Sequence, residues 1–325
     1  MGETKTERLS TLTVLAAVLL LGAILAVASP EFRTLANLLD VMTTSSFTAI
    51  LALGLLVVLV AGGLDISFTA VATIAQLTLA SSLARIDLGW TGSLLLVVLI
   101  GGALGLANGC LVTKLRTAPI IVTIALLNVY FGAVIFLSKG EMIYDFPEFF
   151  WDGVVWRSGP IRITAQILAL AIVAVLTFLL LHRSNWGRIL RAAGGNAEAL
   201  ARQGIPALRV NLFAYGWLGA LAGVAGLFQA QLLQAVTPGA LVGKELDVVA
   251  AVVLGGASLA GGRGTVAGTL LGVLLIALIF NGMVLVGLSP YWHQVTTGLI
   301  VLASLVPPAL AGLRRRGAAA TEVAA

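Results

Sequence analysis

Runs of about 20 apolar residues, with no Asp, Glu, Lys or Arg inside them, recur along this chain and constrain its fold more than any other feature. A run of that length wound as a helix crosses the ~30 Å hydrocarbon core of a bilayer. A soluble helix instead keeps one polar face. The composition agrees, since 59% of the 325 residues are apolar and only 10% charged, where a soluble domain carries about a quarter. The chain is therefore read as an all-α integral membrane protein, a single transmembrane domain over 1–325.

Ten spans fit the charge-free stretches: 9–28, 41–61, 66–84, 91–113, 117–137, 163–182, 211–232, 248–262, 265–286 and 293–312. The eighth is short and glycine-rich, so a broken or tilted helix is expected there. Lys5 and Arg8 before an apolar run resemble a signal peptide, but the run exceeds the usual ~7 to 15 residues, so an uncleaved first span is expected. With the amino terminus cytoplasmic, inside segments hold 13 of the 19 Lys+Arg and 5 of the 14 Asp+Glu. The inside surface is then net +8 and the outside net −3 (6 basic, 9 acidic). Span parity and the positive-inside rule thus agree on cytoplasmic N and C termini. On a membrane protein a net charge of +5 reports orientation rather than affinity for nucleic acid.

Direction alone gives spans 2–5 and 7–10 opposite topology, as in an inverted repeat with a solute route between the halves. Its echoes in the sequence are faint: Gly62-Gly63 against Gly255-Gly256, and Asn108-Gly109 against Asn281-Gly282. Glycines at four-residue spacing (Gly101, Gly105, Gly109 and Gly264, Gly268, Gly272) share a helix face and are read as packing strips.

Several chemistries are excluded. Cys110 is the only cysteine, so no disulfide framework or cysteine metal site exists, and two histidines without H-E-x-x-H argue against a zinc hydrolase. No nucleophile, base and metal ligands converge in the sequence, so no enzyme is expected, nor any metal. Gly239 to Glu245 only approaches a phosphate loop, with the wrong spacing and no Ser or Thr after Lys244. No cofactor is expected in the chain itself.

The proposed spans hold neutral polar groups and no charge, whereas ion-coupled carriers keep ionisable groups in the membrane. Asn108, Asn128, Gln76 and Asn281 are the candidates for a translocation pathway, since amides donate and accept hydrogen bonds and suit an uncharged, hydroxyl-rich solute. For each alone, an interhelical hydrogen bond is the plainer reading. Asp65, in Gly62-Gly63-Leu64-Asp65-Ile66-Ser67, is a gating candidate or, with Ser67, a helix cap.

Two connecting segments stand out. The external loop at about 138–162 gathers Tyr144, Phe146, Phe149, Phe150, Trp151 and Trp156, read as an interfacial belt. The cytoplasmic segment at about 183–210 breaks at Gly194-Gly195 and restarts at Asn196 as N-cap of a short helix, with Glu198 in its first turn and an end at Gly204 and Pro206. An exposed, capped helix between two spans suits docking to a cytoplasmic partner.

These residues carry a family resemblance. GGLDIS at 62–67, NGCLVTKLRTAPIIVT at 108–123, GRILRAAGGNAEALARQGI at 187–205, LGGASLAGGRGTVAGTLLG at 254–272 and NGMVLVGLSPYWHQ at 281–294 resemble the permeases of ribose-type ABC importers, in order and over nearly the whole chain. Phe68 resembles the autoinducer-2-like subset. The resemblance implies a ten-helix permease of inverted repeats in the inner membrane that pairs with a second copy or a related permease chain. Its partners would be two cytoplasmic ATPase subunits, which use the ATP, and a periplasmic or lipid-anchored solute-binding protein. It further implies that Gly187, Gly194, Gly195, Asn196, Glu198 and Gly204 belong to the coupling element that enters the ATPase, and that the solute is a monosaccharide or related furanose. An ATP-independent carrier for a neutral polar solute is the rival reading.

Overall fold

The computed structural model describes residues 5–151, 153–158, 161–289, 291–300 and 302. The order is α1 (Lys5–Ala28), a 3-10 turn (Glu31–Arg33), α2 (Leu35–Val60), α3 (Phe68–Leu83), α4 (Gly89–Leu115) and α5 (Pro119–Ser138). A short α6 (Glu148–Trp151) and a two-stranded hairpin of β1 (Val154–Ser158) and β2 (Ile161–Thr164) follow. Then come α7 (Ala165–Arg183), α8 (Asn185–Arg202), α9 (Ala207–Leu233), α10 (Lys244–Leu254), α11 (Val266–Leu285) and a helical stretch at 292–300.

Seven of these helices, α1, α2, α4, α5, α7, α9 and α11, are long and apolar enough to cross a membrane. The third proposed span is a 16-residue helix, and the eighth is no continuous helix at all. α10 stops after 11 residues, at Leu254, and 255–265 turns back through Gly256, Gly261 and Gly262, all at positive φ where a side chain is disfavoured. Of the tenth proposed span, 303–312 lies outside the described residues. A second correction concerns charge. α2 begins at Leu35, where Thr34 Oγ1 accepts the amide of Asn37 at 3.2 Å, so Asp40 falls inside a membrane-length helix. Lys244, Glu245 and Asp247 open α10, where acidic side chains favour the positive helix end.

α2 is the central post, with every residue from Ala49 to Val60 buried. α4 packs along α9, and their glycines set how close the backbones come. A Cβ at Gly101 would lie 2.2 Å from the Gly219 carbonyl oxygen, and one at Gly105 2.2 Å from that of Tyr215. The second strip works alike: a Cβ at Gly268 or Gly272 would stand 2.1 Å from the carbonyl oxygen of Gly255 or Ala251 on α10 and its end. α3 packs on α9 and α4, while α10 packs on α2 and α11.

The aromatic loop is more than a belt. Phe146 and Phe150 are buried, stacked at 4.8 Å, with Trp90 on Phe150 at 5.5 Å, so they cover the ends of α3 and α4, while Tyr144, Trp151 and Trp156 stay exposed. Its hairpin was not anticipated from the sequence.

Candidate functional site

Three glycine-bearing segments meet at one place, α8 and the turns after α2 and α10, with α8 wedged between the two turns. α8 starts at an N-cap, Ser184, whose hydroxyl accepts the amide of Gly187 at 3.1 Å. Gly187 itself leaves no room for a side chain, since a Cβ there would lie 2.4 Å from the Leu181 carbonyl oxygen. The helix then runs through Gly194 and Gly195, where a break was expected, and kinks one residue later, at Asn196 (φ −159°, ψ 93°). Asn196 Oδ1 accepts the amide of Ala199 at 2.9 Å, a side-chain cap that restarts the helix and contributes about 1 kcal/mol. Gly204, at φ +86°, ends it. Glu198 is exposed and pairs with Arg202 at 3.7 Å, a surface contact of little energetic weight.

Gly194 is the wedge. A Cβ there would stand 2.2 Å from the carbonyl oxygen of Val60, at the end of α2, and 2.3 Å from the amide nitrogen of Gly262. That amide donates to the same Val60 carbonyl at 3.0 Å. Gly62 and Gly261, both at positive φ, close the junction from either side. Gly195, by contrast, faces open space, with nothing within 4 Å of a built Cβ.

A part-buried ion pair fastens α8 to the start of α1 and to the turn before α11. Arg191 meets Glu7 of α1 at 3.4 Å, Glu7 also accepts the Gly264 amide at 3.2 Å, and Arg191 donates to the Gly264 carbonyl at 3.3 Å. Glu7 is buried, so the pair and its backbone partners satisfy a carboxylate that would otherwise be costly there. On the other flank Trp186 stacks on Phe213 of α9 at 4.3 Å and 5°. Glu7, Arg191, Gly261 and Gly262 escaped the reading of the sequence. The partners lie up to 257 residues apart and share no local motif.

Asp65 sits beside this junction and is buried. Its Oδ1 accepts from the amide of Ser67 at 2.7 Å and from the Ser67 hydroxyl at 2.6 Å, so Ser67 donates and does not itself cap α3. Burial pushes the carboxyl above the ordinary carboxylate range, against the hydrogen bonds from Ser67 and Asn108. Asn108 extends the cluster: its amide donates to Ser67 Oγ at 2.7 Å and to Asp65 Oδ2 at 3.4 Å, and its carbonyl accepts the Tyr130 hydroxyl at 2.7 Å.

The four amide candidates are not brought together. Gln76 is buried on α3, and Asn128 lies on an exposed face of α5 with its amide on the Ile124 carbonyl of its own helix. Asn281 exchanges hydrogen bonds with Asn37 at 2.9 and 3.3 Å, tying α11 to α2, and lines a cavity of about 400 Å³.

The family described as branched-chain amino acid transport system / permease component matches residues 37–305. The ribose import permease protein of Escherichia coli K12 is 32% identical over 299 residues, covering 90% of this chain and 91% of its own. The L-arabinose ABC transporter permease protein of Azospirillum brasilense is 30% identical, over 89% of this chain and 84% of its own. The autoinducer 2 import system permease protein of Yersinia pseudotuberculosis is also 30% identical, over 90% and 83%. No solved structure matches the chain.

Proposed function

The chain belongs to the ribose-type ABC importer permeases, within the family of branched-chain amino acid transport permease components, and on that premise we propose how it couples ATP use to the passage of a small neutral polar solute. It is a transporter component and not an enzyme, and ATP is used by separate cytoplasmic subunits. The solute is a monosaccharide or related furanose, in keeping with relatives named for ribose, arabinose and autoinducer 2. A periplasmic or lipid-anchored binding protein delivers it, and the permease works in the inner membrane beside a second copy or a related chain.

Ten membrane segments, cytoplasmic termini and an inverted repeat complete the reading. Packing supports the repeat: exchanging α2 with α9, α3 with α10 and α4 with α11 turns each of the contacts α4 on α9, α3 on α9 and α3 on α4 into another contact of the fold. Topology supports the orientation, since the glycine turns after α2 and α10, the start of α1 and α8 all gather at one end.

The observation that carries the coupling is Gly194 between the Val60 and Gly262 backbones. α8 touches one turn of each half, so a push on α8 by an ATPase moves both halves together, and close-packed backbone transmits it with little slack. Gly195, Asn196 and Glu198 face outward beside the wedge, where a partner docks.

A Gly195→Trp variant tests this. A Cβ there meets nothing within 4 Å, so the permease is expected to insert and keep its melting temperature while losing co-purifying ATPase subunits and uptake. Normal assembly and uptake would show that the face is not the docking surface.

A further inference from the structure

The cavity lies between α2, α10, α11 and the stretch 292–300, at the ends of α2 and α11 away from the glycine junction. Its two long walls differ in chemistry. α2 supplies Asp40, Thr44, Ser45 and Thr48, whose spacing of four, five and eight residues puts them on one helix face. Thr44 donates its hydroxyl proton to the Asp40 carbonyl at 2.8 Å, and Ser45 donates to the Val41 carbonyl at 2.6 Å. Those protons being committed to the helix, the two oxygens offer lone pairs outward. The Asp40 carboxylate has no hydrogen-bond or ion-pair partner among the described residues, and adds further acceptors.

The facing wall, from α11, is aliphatic apart from Asn281, which is engaged by Asn37, and ends in an aromatic pair where Phe280 stacks on His293 at 4.3 Å and 13°. His293 Nε2 is shielded from solvent and lacks a partner among the described residues. Lys244, the lysine at this cavity, is held by Asp247 at 3.3 Å, and Asp247 accepts the Thr297 hydroxyl at 2.7 Å, so these charges are already matched within the protein. A guest that fits presents O–H donors along one edge and a C–H face to the rings. A cyclic polyhydroxy compound has that shape and that division of polarity.

We infer that this cavity is a solute station of the permease, in which Asp40, Thr44 and Ser45 accept the hydroxyls of a monosaccharide ring and Phe280 with His293 carries its apolar face. The inference rests on the import reading above and gives it a place. In that orientation the cavity belongs to the outer half of the membrane, where solute arrives from the binding protein.

The test uses the assembled importer, with ATPase subunits and binding protein, in proteoliposomes offered D-ribose, L-arabinose, D-glucose or L-leucine. Asp40→Asn and Phe280→Leu are each expected to lower uptake of the transported sugar about tenfold, the loss for one charge-assisted bond or one ring contact. Ser45→Cys in a Cys110→Ser background adds a readout that a merely structural role would not move. An impermeant maleimide should label Cys at that position from outside, and the transported sugar, but not L-leucine, should slow the labelling. Full-rate uptake by both variants, or labelling indifferent to the sugar, overturns the station while leaving import standing. Failure of the parent importer to move any of the sugars overturns the import reading, and the station with it. If Phe280→Leu does not assemble, Asp40→Asn and the labelling decide.

Discussion

At the scale of single residues, the cluster around Asp65 shows how much a short motif reveals and where it stops. That Asp65 organises the start of α3 was legible in GGLDIS, because two glycines and a short acidic side chain before an apolar run are turn chemistry. The partners on other helices were not, since nothing in the local sequence ties Asn108 or Tyr130 to position 65. The network gives Asn108 a holding role. Asn108→Leu is therefore expected to leave the Tyr130 hydroxyl and Asp65 short of partners and to cost about 1–3 kcal/mol, read as a lower unfolding temperature in detergent. The pH response has a definite sign. A carboxyl whose folded pKa is raised favours its neutral form in the fold, so its contribution is fully present below the unfolded pKa of about 3.9 and is lost as pH rises through the folded value. The parent is expected to lose stability across that rise relative to Asp65→Asn, which keeps the Ser67 contacts without the charge. Thermal unfolding of both proteins at pH 5 and pH 8 checks it, and equal shifts in the two would refute the assignment.

At the scale of elements, the long helices were legible because a bilayer imposes a length and an all-round apolar surface, and both are written in consecutive residues. α10 was legible in part: a broken or tilted helix was expected in its glycine-rich stretch, but its 11-residue length is fixed by the glycine turn that folds back to the Val60 carbonyl, a contact made across the molecule. The cap at Asn196 was legible as well and stands where it was expected; the break alone moved, by one residue, because Gly194 and Gly195 stay helical, with Gly194 packed into the junction. This distinction can be measured. Gly194→Ala forces a methyl group to 2.2 Å from a carbonyl oxygen and is expected to cost about 1–3 kcal/mol, with loss of assembled, transport-competent permease. Asn196→Ala removes only a cap, about 1 kcal/mol, and is expected to lower uptake mildly. Size-exclusion profiles and uptake of the two variants side by side would contradict this if Gly194→Ala proved the gentler change.

At the scale of the whole molecule, the chain is proposed to draw its energy from separate ATPase subunits. It has no phosphate loop, and its membrane-length helices carry their charges mainly near their ends, as with Glu7 and Arg8 in α1 and Lys114 in α4. Uptake by the assembled importer is expected to stop when the ATPase subunits are disabled and to continue after collapse of the proton gradient while ATP lasts. Uphill uptake by the lone chain in proteoliposomes, driven by an imposed pH gradient, would reject the import mechanism. The latch of Glu7, Arg191 and Gly264 bears on a different matter, the making of the protein. A ribosome delivers Glu7 first, then 183 further residues before Arg191 and another 72 before Gly264. Throughout that interval α1 waits in the bilayer without its anchor, and its partner α11 has not yet been synthesised. A helix made early is thus fastened late, and a chain halted by the ribosome after α9 would hold α1 only loosely, exposed to membrane quality-control proteases until α11 arrives.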